Sequence, residues 1–313
     1  MAQKTEEKSI WDKVGTIDYR IIYVSFLVLM IIPVLNPINI PVKVSPYGQA
    51  YYDKIMNLPT GSVILFHSWV DLSVWSDTGS ILIATYRILW KIPQSQDITI
   101  IIYQSSSDGY VKTSQLLLLP YTDQYSVKPP QWRLDTYGQT WVNLGYFPNY
   151  ANEVALAGFA ADFTVTGTKD YYGTSLSSIP AIQRVMARRD PTTKINMYDF
   201  DLFIWGSWGC TDPDVFVRQF WTAGSPAYHT PMLFMTIGNC VPNAMPYVGA
   251  NKPLVSFIPG AGGAAELELL LGYKGDGSKM ADITDLGGVG TVTFFILGNI
   301  AFFGKRFLEK KKE

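Results

Sequence analysis

Two cysteines, two histidines and one glycine-rich turn are the parts of this sequence with the clearest chemical use. Cys210 follows "DFDLFIWGSWG" and Cys240 follows "PMLFMTIGN", so each stands just past one of two consecutive apolar runs, with a proline-started segment next ("CTDP", "CVP"). If those runs are parallel neighbouring strands, the sulfurs lie at one level of the sheet, within reach of a disulfide. The plainer reading is two separate buried thiols. A thiolate at a helix N-terminus can act as a nucleophile, but neither histidine lies near in sequence to serve as its base. Two cysteines and two histidines (His67, His229) furnish neither a four-thiolate nor a histidine-rich metal site. No metal is expected.

The turn lies in "PLVSFIPGAGGAAELELLLG", which reads as strand, turn and helix and satisfies G-x-G-x-x-A through Gly260, Gly262 and Ala265. In a dinucleotide fold these glycines allow the backbone to approach a pyrophosphate at a helix N-terminus. The working motif also needs a second strand about 20 residues on, ending in an acidic residue. Here "LELLLGYKGDGSKMADITDL" follows, polar and glycine-containing, so Asp282 and Asp285 have the distance but no strand. Close strand-to-helix packing without a side chain explains the glycines better, and no cofactor is expected.

His67 ends another apolar run ("ILFHSW"), with Asp71 four residues on. Doubly wound sheets bind ligands beyond the strand C-termini. His67, Ser207, Asn239, Gly260 and Gly262 are therefore the candidate ligand-binding residues. A lone histidine there is more often a hydrogen-bonded structural residue. G-x-S-x-G, H-E-x-x-H and Walker sequences are absent, "GDGSK" lacks phosphate-loop spacing, and no catalytic residue is assigned.

The elements that must position these residues follow one beat: an apolar run, a turn, then an amphipathic helix. "SVILFHSW", "DITIIIYQ", "TWVNLGYF", "DFDLFIWGSW", "PMLFMTIGN" and "PLVSFI" are the runs. Strands apolar along their whole length are covered on both faces, and alternation with helices makes them parallel. This predicts an α/β fold, a doubly wound, mostly parallel Rossmann-like sheet of about six strands. "KDYYGTSLSSIPAIQRVMARRDPTTKINMY" interrupts the beat with a helix around Pro180 to Arg189, as an insertion or a helical crossover. The polar stretch Pro120 to Gln139 reads as a long loop, and "DPDVF" as a helix start capped by Asp212.

Hydrophobic residues make up 48% of the 313 and charged residues only 16%, so part of the apolar excess should face something other than water. "IIYVSFLVLMIIPVLNPINIPV" (21–42) and "LGGVGTVTFFILGNIAFFG" (286–304) are uncharged and long enough to span a bilayer. A cleaved signal is a poorer reading of the first: its charged leader is long and mixed, and no A-x-A site follows. Lysine and arginine concentrate in 1–20 and 305–313, which places both termini in the cytoplasm and residues 43–283 outside as an extracytoplasmic domain. The proline-rich "NPINIPVKVSP" reads as an extended stalk. Net charge of −1 gives no footprint for nucleic acid.

The order "VNLGYFPNYANEVALAGFAADF", "FDLFIWGSW", "PMLFMTIGN", then a glycine turn and "GYKGDGSKMADITDLGGVGTV", resembles an uncharacterised family of prokaryotic membrane proteins in which two terminal transmembrane helices bracket a Rossmann-like domain. The resemblance implies fold and topology and carries no catalytic residues. The expected function is a membrane-anchored, non-enzymatic module, homo-oligomeric or bound to a membrane-protein partner. Transmembrane glycines 287, 288, 290 and 298 permit close helix packing, and clustered aromatics suit protein contacts or sugar stacking. The alternatives are a receptor-like domain for a small solute or a nucleotide-using enzyme.

Overall fold

The computed structural model describes residues 17–36, 38, 40–68, 71–118, 129–147, 153–165, 167–188, 195–222 and 229–310. Most of the N-terminal segment 1–20, the end of the basic tail and residues 120–128 of the expected loop lie outside the described residues; the rest of that stretch is not all loop, because Gln131–Asp135 is helical with Arg133 buried. The described chain divides into two compact units, one from Val42 to Ser278, the other formed by residues up to Pro41 and from Lys279 onward.

In the Val42–Ser278 unit the strands are β1 (Val63–His67), β2 (Thr99–Gln104), β3 (Trp141–Tyr146), β4 (Leu202–Gly206), β5 (Met232–Thr236) and β6 (Leu254–Pro259). All pair in parallel in the order β3-β2-β1-β4-β5-β6. The apolar runs become strands because β-branched and aromatic side chains suit a pleated surface covered on both sides, and β1, β2, β4 and β5 are buried at every residue. The order reverses direction between β1 and β4, which is where doubly wound sheets open a crevice at the strand C-termini.

Helices cover both faces. α1 (Tyr19–Leu35) precedes the unit, and within it lie α2 (Pro46–Met56), α3 (Trp75–Lys91), α4 (Ser107–Leu118), α5 (Gln131–Asp135), α6 (Glu153–Ala161) and α7 (Pro180–Met186). After β4 come α8 (Asp212–Val217), running into a π-helical turn at Arg218–Thr222, then α9 (Val241–Ala244), α10 (Gly260–Leu271) and the long α11 (Asp276–Lys310). One core layer joins Ile64, Phe66, Ile100, Ile102 and Trp141 to Tyr51, Ile55, Ile81, Leu117 and Leu267 of α2, α3, α4 and α10. The other joins Val63, Leu65, Tyr103, Val142 and Trp205 to Phe159, Ile182, Phe216 and Ala244 of α6, α7, α8 and α9. The Rossmann-like α/β expectation is therefore met. The segment around Pro180 is part of the β3-to-β4 crossover and contributes Ala181, Ile182 and Val185 to the core.

Two local expectations need correction. The proline-rich stalk ends one residue earlier than read: Pro46 opens α2, because Ser45 accepts a hydrogen bond from the Gly48 amide (3.0 Å) and proline at the first helical position needs no donor. Asp212 is the first residue of α8 rather than its cap, which is Thr211.

In the other unit α1 has 17 residues, capped by Asp18, and stops at Leu35 rather than continuing to Val42. Asn36 precedes Pro37, and a residue before proline is driven out of the helical region. Helix α11 has 35 residues, about 52 Å at 1.5 Å per residue. Its stretch Asp276–Phe307 is long and apolar enough to cross a membrane, and α1 is apolar but shorter. Side chains such as Val289, Phe295 and Phe303 are 62–73% exposed. Gly290 faces α1 closely: a Cβ there would lie 3.1 Å from Leu29 Cδ1 and 3.3 Å from Phe26 Cε2. Asp282 accepts the Ile40 amide (2.9 Å) and so serves chain packing on a helix.

Candidate functional site

At the C-terminal end of β1, His67 is fully buried, stacked on Tyr103 (4.7 Å between ring centres) and near Phe216 (5.9 Å). Its Nε2 lies 2.7 Å from the Ser105 hydroxyl, just beyond β2. Burial pushes its pKa down to about 3, so the ring is neutral at physiological pH. Asp71 is engaged elsewhere: it accepts the Ser106 hydroxyl and, at 2.6 Å, the Trp208 indole N–H. That pair of bonds ties the β1–α3 connection to the loops after β2 and β4, across the crevice. His67 thus reads as the hydrogen-bonded structural residue.

The depressed pKa has a sign. The unfolded imidazole gains a proton near pH 6.5 and the folded one only near pH 3. Stability conferred by the neutral ring is therefore complete above pH 6.5 and declines by about 1.4 kcal/mol per pH unit below it. Between pH 7 and pH 5 the wild type should lose about 2 kcal/mol relative to His67→Gln, read from urea midpoints at the two pH values. Parallel pH dependence of the two proteins would contradict the assignment.

Ser207, just past β4, donates its hydroxyl to the Asp212 carboxylate and accepts the Gly209 amide at 3.0 Å. Burial pushes the Asp212 carboxyl up, against the lowering effect of the bonds from Ser207 and Gly209. Ser207 bonds directly to the carboxylate, without the imidazole that a serine–histidine pair would use. The sulfurs of Cys210 and Cys240 are bonded, with Cα atoms 4.6 Å apart, so the disulfide reading applies and the two-thiol reading does not. The cystine joins the loops after the paired strands β4 and β5. Asn239 is exposed and stands apart from His67 and Ser207 in these contacts.

The glycine turn is a packing device. Gly260 is buried at φ 53°, and a Cβ there would come within 2.8 Å of Asp77 Oδ1. A Cβ on Gly263 would lie 2.7 Å from Ile258 Cγ2, whereas Gly262 is exposed with open space around it. The Asp77 carboxylate accepts the Ala261 amide (3.2 Å) at the start of α10. An internal anion therefore occupies the helix terminus that a nucleotide phosphate would use. The turn also follows the last strand of the sheet, so no further strand can carry a ribose-binding acid.

Two groups of residues escaped the sequence reading. Glu266 accepts the Ser45 amide (2.9 Å) and hydroxyl (2.6 Å) at the head of α2. Glu268, 1% exposed, accepts the amides of Gly275, Gly277 and Ser278 and the Ser278 hydroxyl, all at 2.7–2.9 Å. The signal was present in "AAELELLL", since a carboxylate on an otherwise apolar helix must be paired. The second group is polar atoms that are buried and unmet among the described residues: Trp205 Nε1 and Thr236 Oγ1 near the crevice, and Gln104 and the Asn143 amide nitrogen at the other end of the strand row. Among the described residues, no three His, Cys, Asp or Glu side chains gather to hold a metal ion.

Neither a protein-family model, nor a curated protein, nor a solved structure matches this chain.

Proposed function

We propose that this chain is a membrane-anchored, non-enzymatic α/β module, held by α1 and α11 with both termini in the cytoplasm, whose globular unit stands outside the cell membrane. There it assembles with copies of itself or with a membrane-protein partner, a reading supported by the glycines of the second apolar run and the abundant aromatics. The observation that carries this reading is α11, whose apolar side chains stay exposed over a length sufficient for hydrocarbon. The lysine and arginine bias of the terminal segments supports the orientation. Support for the compartment comes from the cystine, which persists where the surroundings are oxidising. The polar groups at the crevice largely satisfy one another, which favours a binding or structural role over turnover.

Protease added to intact cells should cut within residues 42–278 and spare the terminal helices. A protected middle unit overturns the orientation. The mass of the detergent-solubilised particle should exceed one chain, and a strict monomer without a partner removes the assembly. The second reading, a receptor for a small solute in the crevice near His67 and Ser207, is favoured by the unmet Trp205 and Thr236 atoms. Stabilisation by an amino acid or a nucleotide in thermal unfolding would support it.

A further inference from the structure

The contact between α4 and the ends of β2 and β3 is polar where a helix on a sheet is ordinarily apolar. Alternation along the strands places Gln104 on the face of Ile100 and Ile102, and Asn143 on that of Trp141, the face that α4 covers through Leu117. Gln104 is fully buried, and neither atom of its amide has a hydrogen-bond partner among the described residues. Asn143, equally buried, accepts the Gly145 amide with its Oδ1 (3.0 Å) and leaves Nδ2 unmet. From the helix, the Ser114 hydroxyl, 3% exposed, is also unmet among the described residues. Folded proteins rarely leave such groups unpaired.

The same place reaches the surface through tyrosines. Tyr146 is the cross-strand neighbour of Gln104, after a bulge that puts Gly145 at φ 77°. A Cβ on Gly145 would lie 3.5 Å from the Tyr110 ring and 3.7 Å from Tyr171 Cα. Tyr110 lies one turn before Ser114 on α4, and its ring centre is 6.0 Å from those of both Tyr146 and Tyr171. Tyr171 sits on a stiff turn: its amide donates to the Asn143 carbonyl (2.9 Å), while Asp170 accepts the Tyr172 and Thr174 amides and the Tyr137 hydroxyl.

We infer that Gln104, Asn143 and Ser114, rimmed by Tyr110, Tyr146 and Tyr171, bind a neutral polyhydroxylated ligand, a sugar or polyol. Amides and hydroxyls both donate and accept, as vicinal hydroxyl groups require. Tyrosine faces offer apolar area to the C–H side of a sugar ring together with a polar tip. None of the six side chains is a cation or a carboxylate, which favours a neutral ligand over an anion or an amine. This site lies on the opposite face of the sheet from His67 and goes beyond the assembly reading, since it does not depend on where the unit stands.

The test is thermal unfolding and calorimetric titration of the full chain in detergent. The probes are glucose, galactose, mannose, myo-inositol and glycerol, with glucuronate and inorganic phosphate as charged controls. At least one neutral probe should bind and raise Tm, and the charged controls should not. Gln104→Leu should abolish that binding. Tyr146→Ala, at a half-exposed position that leaves the core intact, should weaken it at least tenfold even if the first variant fails to fold. Absence of binding by every neutral probe overturns the inference, as does binding that both variants retain or a response to the charged probes alone. A monomeric, wrongly oriented protein that still bound a sugar would refute the assembly reading and leave this one standing.

Discussion

Replacing Glu268 with alanine should lower the unfolding free energy of the Val42–Ser278 unit by about 4 kcal/mol, making it the most damaging single substitution considered. The carboxylate is buried on α10 and receives three amide protons and one hydroxyl proton from residues 275–278, the approach and first turn of α11. Charge-assisted bonds of this kind are roughly twice as strong as neutral ones, and a negative charge at a helix start gains further from the helix dipole. Truncation leaves those donors facing a void in a buried place, where each unmet group costs about 1–3 kcal/mol and the sum is less than additive. Glu268→Gln should fall between, because its amide keeps one acceptor but turns a donor toward other donors. Denaturant midpoints of the three proteins read the order directly, and an alanine variant within 1 kcal/mol of wild type would refute the role.

Reduction of the Cys210–Cys240 bond, or Cys210→Ser with Cys240→Ser, should cost about 3.5 kcal/mol. The two residues are 30 apart in sequence, and restoring that loop's freedom to the unfolded chain sets this figure in the chain-entropy account. For a domain of this size the expected fall in Tm is about 10 °C. Thermal unfolding with and without reductant measures it, and the double serine variant should lose all sensitivity to reductant. Equal Tm values in both conditions would mean that the cross-link confers nothing.

All six strands were legible because each is a run of β-branched and aromatic residues bounded by turn residues, whereas the pairing of Cys210 with Cys240 was only conditional, since it needed β4 and β5 to be neighbours and two separate thiols were the plainer reading. Helix α2 was not legible. "PYGQAYYDKIM" carries glycine and polar residues, and it is helical because Ser45 caps it and Tyr51 and Ile55 bury where the helix packs on β6, α3 and α10. The first turns of α11 read only as a polar, glycine-containing stretch because the group that stabilises them, Glu268, lies upstream on another element. His67 was placed correctly at the strand edge, yet its partner Ser105 is 38 residues away and its neighbour in sequence, Asp71, bonds to Trp208 instead. Bonds between distant loops leave no periodic trace, so the wiring of an edge is hidden where the edge itself is plain.

The two glutamates of α10 have one more implication. Glu266 fixes Ser45, where the chain comes in, and Glu268 fixes Ser278, where it goes out. Both doors of the Val42–Ser278 unit therefore open from one short helix, and the polypeptide between them can be treated as a cassette. Spliced into a surface turn of an unrelated host, such a piece would not pull the host's flanking ends apart, which is the geometry that lets inserted domains move between proteins.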